Sequence, residues 1–154
     1  MADAPFEVPR AHRWFAVELN NLAWDLVEAP QRSADEIERM IHAAHGACFH
    51  WMQVGTLLNH LRAECLLATA YAVAGLREGA IWHAERCLAL SHEAGDTQTP
   101  FDRATAHGAA ANAFAVANRP NDSRDQYRLA KAVADTFTDA DDLKVFEKLY
   151  PPPA

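Results

Sequence analysis

Two stretches of this chain repeat one another 43 residues apart, and this repeat limits the possible folds more than any other feature. Residues 68–76, ATAYAVAGL, correspond to residues 111–119, ANAFAVANR. The shared positions are small, apart from one aromatic: Ala68, Ala70, Ala72, Val73 and Ala74 recur as Ala111, Ala113, Ala115, Val116 and Ala117, and Tyr71 recurs as Phe114. A fixed period of this size is typical of stacked helical pairs, none of which buries its apolar face alone.

The repeat matches part of the tetratricopeptide pattern. Leu67-Ala68-x2-Tyr71 with Ala80-x3-Ala84 fits it in the first copy, and Ala110-Ala111-x2-Phe114 with Ser123-x3-Tyr127 fits it in the second. Small residues let two helices approach closely, and the aromatic ring fills the gap beside them. The sequence therefore predicts an all-α, tetratricopeptide-repeat-like (TPR-like) stack of antiparallel helical hairpins, forming a short right-handed solenoid.

Start and stop signals divide the chain into about seven helices. The first helix runs from about Pro9 to Val27, the second begins at the Ser33–Glu36 capping box and closes near Gly55, and the third begins at its cap Thr56 and ends at Gly75. The fourth helix reaches about Glu93, and the fifth begins at Thr99-Pro100 and ends near Asn118. The sixth helix begins around Asn121 or Asp122, and Asp139 with Asp142 starts a short seventh. We expect one domain over residues 1–150 and a disordered, proline-rich tail over residues 151–154.

Composition narrows the class of protein. Half of the 154 residues are hydrophobic and 23% are charged, which is typical of a globular domain. The net charge of −7, without a basic patch, disfavours nucleic acid as a partner. The N-terminus lacks the pattern of a secretory signal, and the longest apolar run is too short to span a membrane. Three widely spaced cysteines in apolar surroundings indicate reduced core thiols, so we expect a cytoplasmic protein.

The segment MIHAAHGACFHW, residues 40–51, places three histidines on one helix. At about 100° per residue, Glu38, His42, His45 and Phe49 fall opposite the apolar stripe of this helix, and His50 lies at its flank. This face could pack on the first helix or on a second subunit, bind zinc or iron through carboxylate and imidazole, or form a pH-sensitive interface. The spacing Glu38–His42–His45 allows all three side chains to reach one point.

A second group of polar residues lies on the third helix, where His60, Glu64 and Tyr71 share a face. Glu64 stands where the repeat pattern expects tryptophan, and His107 stands at the same place one repeat later. Since an unpaired buried carboxylate is costly, we expect Glu64 to pair with His107 or Arg62, or to anchor a ligand. If the second and third helices converge, one pocket holds His45, His50, His60 and Glu64. Trp14, Trp24, Trp51 and Trp82 are expected to pack in the core or between repeats.

The central part of the chain resembles a group of short, uncharacterised bacterial TPR-like proteins. The resemblance covers roughly residues 38–135 and rests on the runs HAAHGACFHWMQVGTLLNHLRAECLLATAYAVAGL and HAERCL. The matching positions are His42, His45, His50, Trp51, Gly55, Thr56, Asn59, Arg62, Glu64, Tyr71, Gly75, His83 and Cys87. A proline common in that group after the threonine is Leu57 here. The resemblance implies the fold and no established activity.

Two functions remain open from the sequence. The first is a binding module, favoured over an enzyme, whose groove presents Arg62, Glu64, Thr69, Tyr71, His107 and Asn112 to a peptide or small ligand. The second is a small metal-binding protein or metal-dependent enzyme that uses Glu38, His42, His45, His50 and His60 with zinc or iron. Because a short stack exposes its ends, we also expect a homodimer that forms through the first hairpin.

Overall fold

The computed structural model describes residues 6–153, which form seven α-helices and no strand. The helices are α1 (Val8–Glu28), α2 (Ala34–Val54), α3 (Leu57–Val73), α4 (Arg77–Ala94), α5 (Pro100–Val116), α6 (Pro120–Ala134) and α7 (Ala140–Leu149). The all-α prediction is confirmed, and the helix limits agree with the sequence signals to within a few residues. Residues 1–5 of the expected domain and Ala154 of the expected tail lie outside the described residues.

Side-chain caps explain where several helices begin. The Ser33 hydroxyl accepts the Glu36 backbone N–H at 3.2 Å, and the Glu36 carboxylate accepts the Ser33 N–H at 2.7 Å. Thr99 and Asp102 make the same reciprocal pair of bonds at the start of α5. Each pair satisfies two backbone donors that a helix start would otherwise leave free. The capping box predicted at Ser33 is therefore confirmed.

The repeat seen in the sequence is also a repeat of helix limits. α3 and α5 end in left-handed residues 43 positions apart, Gly75 with φ of 71° and Asn118 with φ of 59°. The next residue closes the turn in the same way in both copies, since Leu76 N–H donates to the Tyr71 carbonyl and Arg119 N–H to the Phe114 carbonyl, both at 2.9 Å. α2, α4 and α6 begin at residues 34, 77 and 120, which are also 43 apart.

The helices contact one another in a regular order. α1 pairs with α2, α3 with α4 and α5 with α6, while α3 also contacts α1 and α2, and α5 also contacts α3 and α4. The first core lies between α1, α2 and α3 and includes Met40 and Leu66. The second lies between α3, α4, α5 and α6, and Phe146 of α7 joins it. None of the helices in residues 6–153 combines the length and the apolar composition needed to cross a bilayer.

Two of the four tryptophans pack neither in the core nor between repeats, contrary to expectation. Trp14 and Trp82 are exposed because each lies on the face of its helix opposite the buried alanines, Ala16 on α1 and Ala80 and Ala84 on α4. The three cysteines are placed as expected for reduced core thiols, since Cys48, Cys65 and Cys87 are buried and form no disulfide. Burial raises the pKa of the Cys48 thiol to about 11, so this thiol stays protonated at neutral pH.

Candidate functional site

A cavity of about 710 Å³ lies between α1, α3, α5 and α7. Its walls combine apolar side chains (Trp24, Phe101, Phe137, Val145, Leu149 and Tyr150) with neutral hydrogen-bonding ones (Asn20, Thr99, Thr105, Thr136 and Thr138). We call this space the groove cavity. Mixed walls of this kind give a ligand both apolar contact and directional bonds.

An ion pair between two helices forms part of the cavity wall. Nε of Arg62 on α3 donates to Oδ1 of Asp102 on α5 at 2.7 Å, and Nη2 donates to Oδ2 at 3.0 Å. Burial alone would raise the pKa of Asp102, but the bonds from Arg62 and from Thr99 outweigh burial and lower it. Because Nε and Nη2 are used in the pair, the two Nη1 donors of Arg62 remain for a ligand.

Carboxylates outnumber cations around the groove cavity. Glu28, Asp102, Asp139 and Asp142 line it, against the single guanidinium of Arg62. Glu28 is neutralised by Lys148 at 2.6 Å and Asp102 by Arg62. Neither Asp139 nor Asp142 takes part in an ion pair within residues 6–153, so the cavity entrance beside α7 carries negative charge.

The C-terminal end of α7 occupies part of the predicted groove. The Tyr150 hydroxyl lies 3.2 Å from Oγ1 of Thr69, and Nδ2 of Asn112 donates to the Leu149 carbonyl at 3.1 Å. Burial raises the pKa of Tyr150 well above its ordinary value. Of the six predicted groove residues, Arg62 lines the cavity, whereas Thr69 and Asn112 are bound by the protein's own chain.

Glu64 and His107 occupy equivalent places but do not pair with each other. Nδ1 of His83 donates to the Glu64 carboxylate at 2.7 Å, and Nδ1 of His107 donates to Oε1 of Gln126, also at 2.7 Å. Each bond joins the two helices of one hairpin. Glu64 and His107 are 43 residues apart, and so are their partners His83 and Gln126. The expected pairing of Glu64 with His107 or Arg62 is therefore wrong, because each hairpin satisfies this position internally.

Tyr71 and His45 extend the Glu64–His83 pair into a polar cluster between α2, α3 and α4. Nε2 of His45 lies 2.9 Å from the Tyr71 hydroxyl, and the His45 and His83 rings are 5.4 Å apart. Burial lowers the pKa of His45, as does the nearby imidazole of His83. Tyr71 and Glu64 therefore belong to this cluster rather than to the groove cavity.

The other predicted metal ligands have separate contacts. Nδ1 of His50 lies 2.8 Å from Nδ1 of His12 on α1, and His60 donates to the Trp51 carbonyl at 3.1 Å. His42 is exposed and lies 3.7 Å from Glu38. The single pocket considered for His45, His50, His60 and Glu64 does not form. No three His, Cys, Asp or Glu side chains within residues 6–153 are placed to hold a metal ion.

Sequence reasoning missed most of the groove cavity. Trp24 and Asn20 come from α1, whose two faces are both rich in apolar residues, and Phe137 precedes α7 in a turn without a periodic signal. Asp102 was detectable, since it is the third residue of a helix that Thr99 caps.

No protein-family model, curated protein sequence or solved structure matches this chain.

Proposed function

We propose that this chain is a TPR-like binding module, a short right-handed solenoid of helical hairpins. The helix limits that recur every 43 residues support this assignment. So do the contacts of α3 and α5, each of which packs on the hairpin before it. In stacks of this kind the first helices of successive hairpins line a concave surface that holds ligands.

We assign ligand binding to the groove cavity, with a short peptide or a small molecule as the occupant. The observation that carries this assignment is the cavity's volume of about 710 Å³ between helices α1, α3, α5 and α7, which lies within the range of about 300–1,000 Å³ usual for ligand pockets. Trp24, Phe101 and Phe137 offer apolar contact. Arg62 Nη1 and the threonine hydroxyls offer bonds to backbone or amide groups.

The charge of the cavity favours a neutral or basic ligand. Asp139 and Asp142 at the entrance lack a cationic partner within the described residues, and the net charge of −7 attracts cations over a longer range. The aromatic rings of Trp24 and Phe101 also favour a cation near their faces. The ligand that fits best therefore joins an apolar group to a neutral or positive one.

Three acetylated dipeptide amides test this assignment: Leu-Lys, Leu-Gln and Leu-Glu. Binding is followed by NMR chemical shifts of the Trp24 indole and the Thr105 amide, both in the cavity wall. We expect saturable shifts for Leu-Lys and Leu-Gln and weaker binding of Leu-Glu. Val145→Trp, which fills the cavity from an exposed position, is expected to weaken binding about tenfold or more.

Leu129→Trp is the matched control for this variant. Leu129 on α6 is 40% exposed and Val145 is 41% exposed, but only Val145 lines the cavity. Equal binding by wild type, Val145→Trp and Leu129→Trp would place the ligand elsewhere. Absence of saturable shifts for all three peptides would contradict a groove for short peptides.

We also propose that the protein acts as a cytoplasmic homodimer. The exposed apolar side chains at the N-terminal end of α1 and the C-terminal end of α2 support self-association. The alternative of a metal protein has no comparable support, because the histidines of α2 and α3 each have a different contact within residues 6–153.

A further inference from the structure

Five large apolar side chains are exposed together at one end of the first hairpin. They are Phe6 (60% exposed), Trp14 (57%), Phe15 (43%), Phe49 (55%) and Met52 (64%). We call this set the aromatic surface. Ring contacts join α1 to α2 within it: Trp14 lies 4.9 Å from Phe15, Phe15 lies 5.4 Å from His50, and His50 lies 5.5 Å from Phe49.

The aromatic surface is confined to one end of the hairpin. On the outward side of α1, Trp14 is followed one turn later by Glu18 and then by Asn21 and Asp25, all exposed. The C-terminal half of this face is therefore polar, as a solvated helix face normally is. Only the N-terminal half, with the end of α2 beside it, carries exposed rings.

The exposed area is close to what one partner contributes to a stable interface. A fully exposed side chain of this size presents about 200 Å². At the observed exposures the five residues leave on the order of 600 Å² uncovered, compared with about 800 Å² per partner in a standard protein interface. The flanking His12 and His50 rings add to the apolar area. Contiguous apolar patches of this size mark interaction sites on soluble proteins.

The charges around the aromatic surface fit a second copy of the same chain. Residues 40–61, which supply its α2 side, contain no Asp, Glu, Lys or Arg. On the α1 side, Glu7 and Glu18 balance Arg10 and Arg13. The rest of the molecule carries the net charge of −7 and repels a second copy. Two copies therefore meet the least electrostatic repulsion when they approach through this neutral surface.

We propose that the aromatic surface is the self-association interface, with the same surface of a second copy docked on it across a two-fold axis. Such an interface uses one patch twice, so the rings of Trp14 and Phe49 meet the corresponding surface of the partner. This assignment rests on the proposed homodimer and is independent of the groove cavity.

Sedimentation equilibrium of the full chain up to high micromolar concentration tests the interface. The variants are Trp14→Glu, Phe49→Glu and, as control, Trp82→Glu, whose ring is 72% exposed on α4 outside the aromatic surface. We expect wild type and Trp82→Glu to dimerise equally. Trp14→Glu and Phe49→Glu are expected to weaken the dimer about 30-fold or more, as the loss of a hot-spot side chain does. Circular dichroism verifies that each variant keeps its helices.

Two results would overturn the assignment, and they differ in what they leave standing. A wild-type chain that stays monomeric contradicts the homodimer and the interface together. A dimer that persists in both Trp14→Glu and Phe49→Glu, or that only Trp82→Glu disrupts, contradicts the interface and leaves the homodimer in place. Neither result bears on ligand binding in the groove cavity.

Discussion

The ring of Tyr150 occupies the space that a side chain at position 108 would need. A Cβ atom added to Gly108 on α5 would lie 2.6 Å from Cγ of Tyr150 and 2.9 Å from Cδ2. Tyr150 is fully buried at this place, although it directly follows the last helix of the chain. The absence of a side chain at Gly108 is therefore what lets the end of α7 enter the groove.

Gly108→Ala is expected to lower the free energy of unfolding by about 1–3 kcal/mol, the usual cost of overpacking. The gain of up to about 1 kcal/mol from replacing a helical glycine partly offsets this cost. Urea denaturation measures the change. Gly46→Ala is the control, since its Cβ would meet only the flexible tip of Leu19 at 2.7 Å. If the two variants were equally stable relative to wild type, the Tyr150 ring would not be fixed over Gly108.

The Arg62–Asp102 pair is expected to make stability depend on acid pH. The pKa of Asp102 is lowered in the folded state, so the stabilisation is fully present above the ordinary value of 3.8 and is lost as the pH falls through the lowered value. Asp102→Asn should cost about 1–3 kcal/mol at neutral pH and flatten the dependence of stability on pH below 4. Unfolding in urea at several pH values measures both effects.

Asp96→Asn serves as the control for Asp102→Asn. Asp96 pairs with Arg103 at 3.5 Å, and both side chains are exposed. Exposed pairs of this kind contribute about 0–1 kcal/mol, so this variant should keep the pH dependence of the wild type. An Asp102→Asn variant that matched Asp96→Asn would show that the Arg62–Asp102 pair adds nothing to stability.

The Glu64–His83 bond is expected to be structural, because the second copy makes its equivalent without a charge. Glu64→Gln, which reproduces the amide of Gln126, should change stability by less than about 1 kcal/mol, whereas Glu64→Ala should cost about 1–2 kcal/mol. Thermal unfolding compares the two. A cost as large for Gln as for Ala would mean that the carboxylate charge itself is required at this position.

Self-association is expected to weaken on acidification. Burial, and then the charge of His12, lowers the pKa of His50 in the folded chain, so this ring costs the fold no stability above the ordinary value of 6.5 and destabilises it as the pH falls below that value. Protonation also places a positive charge beside Phe15 and Phe49 in the aromatic surface, and the proposed interface brings two such charges together. Arg13 on α1 bonds the Val54 carbonyl at the end of α2, and His60 on α3 bonds the Trp51 carbonyl. The guanidinium of Arg13 places positive charge near the pair, which disfavours a further charge on His50.

Sedimentation equilibrium at pH 7.5 and at pH 5.5 measures this effect. We expect a weaker dimer at the lower pH in wild type and a smaller change in His50→Gln, which keeps a hydrogen-bonding group without the charge. His42→Gln is the control, because His42 is exposed and outside the aromatic surface. A pH dependence that His50→Gln leaves unchanged would assign the titration to other groups.

The helices were predictable from the sequence because their limits depend on local signals. The Ser33–Glu36 cap and the left-handed stop at Gly75 each act within a few residues of their own helix. The 43-residue repeat then gave the pairing of helices, since equivalent residues in two copies fold in the same way.

The contacts between helices were much less predictable. The repeat placed Glu64 and His107 at equivalent positions, but it did not show that each would turn towards its own hairpin, because that direction depends on how the two helices cross. Trp14 was expected to pack in the core or between repeats, but its place opposite Ala16 on α1 exposes it. The return of α7 to the groove joins Thr69 to Tyr150 across 81 residues, a distance over which helix periodicity carries no information.

The equivalent helix starts at Thr56 and Thr99 also make residues 56–98 a length of chain that can be duplicated in tandem. A second copy of residues 56–98, inserted after Gln98, would begin at a threonine cap, as α5 does at Thr99. After this additional unit the chain would continue into the original α5. Two ion pairs would not be reproduced. Asn59 stands where Asp102 stands in the next unit, so the first arginine would meet an amide instead of a carboxylate, and the inserted unit would separate Glu28 on α1 from Lys148 on α7. Lengthening by whole units therefore keeps every helix signal at the cost of these two pairs.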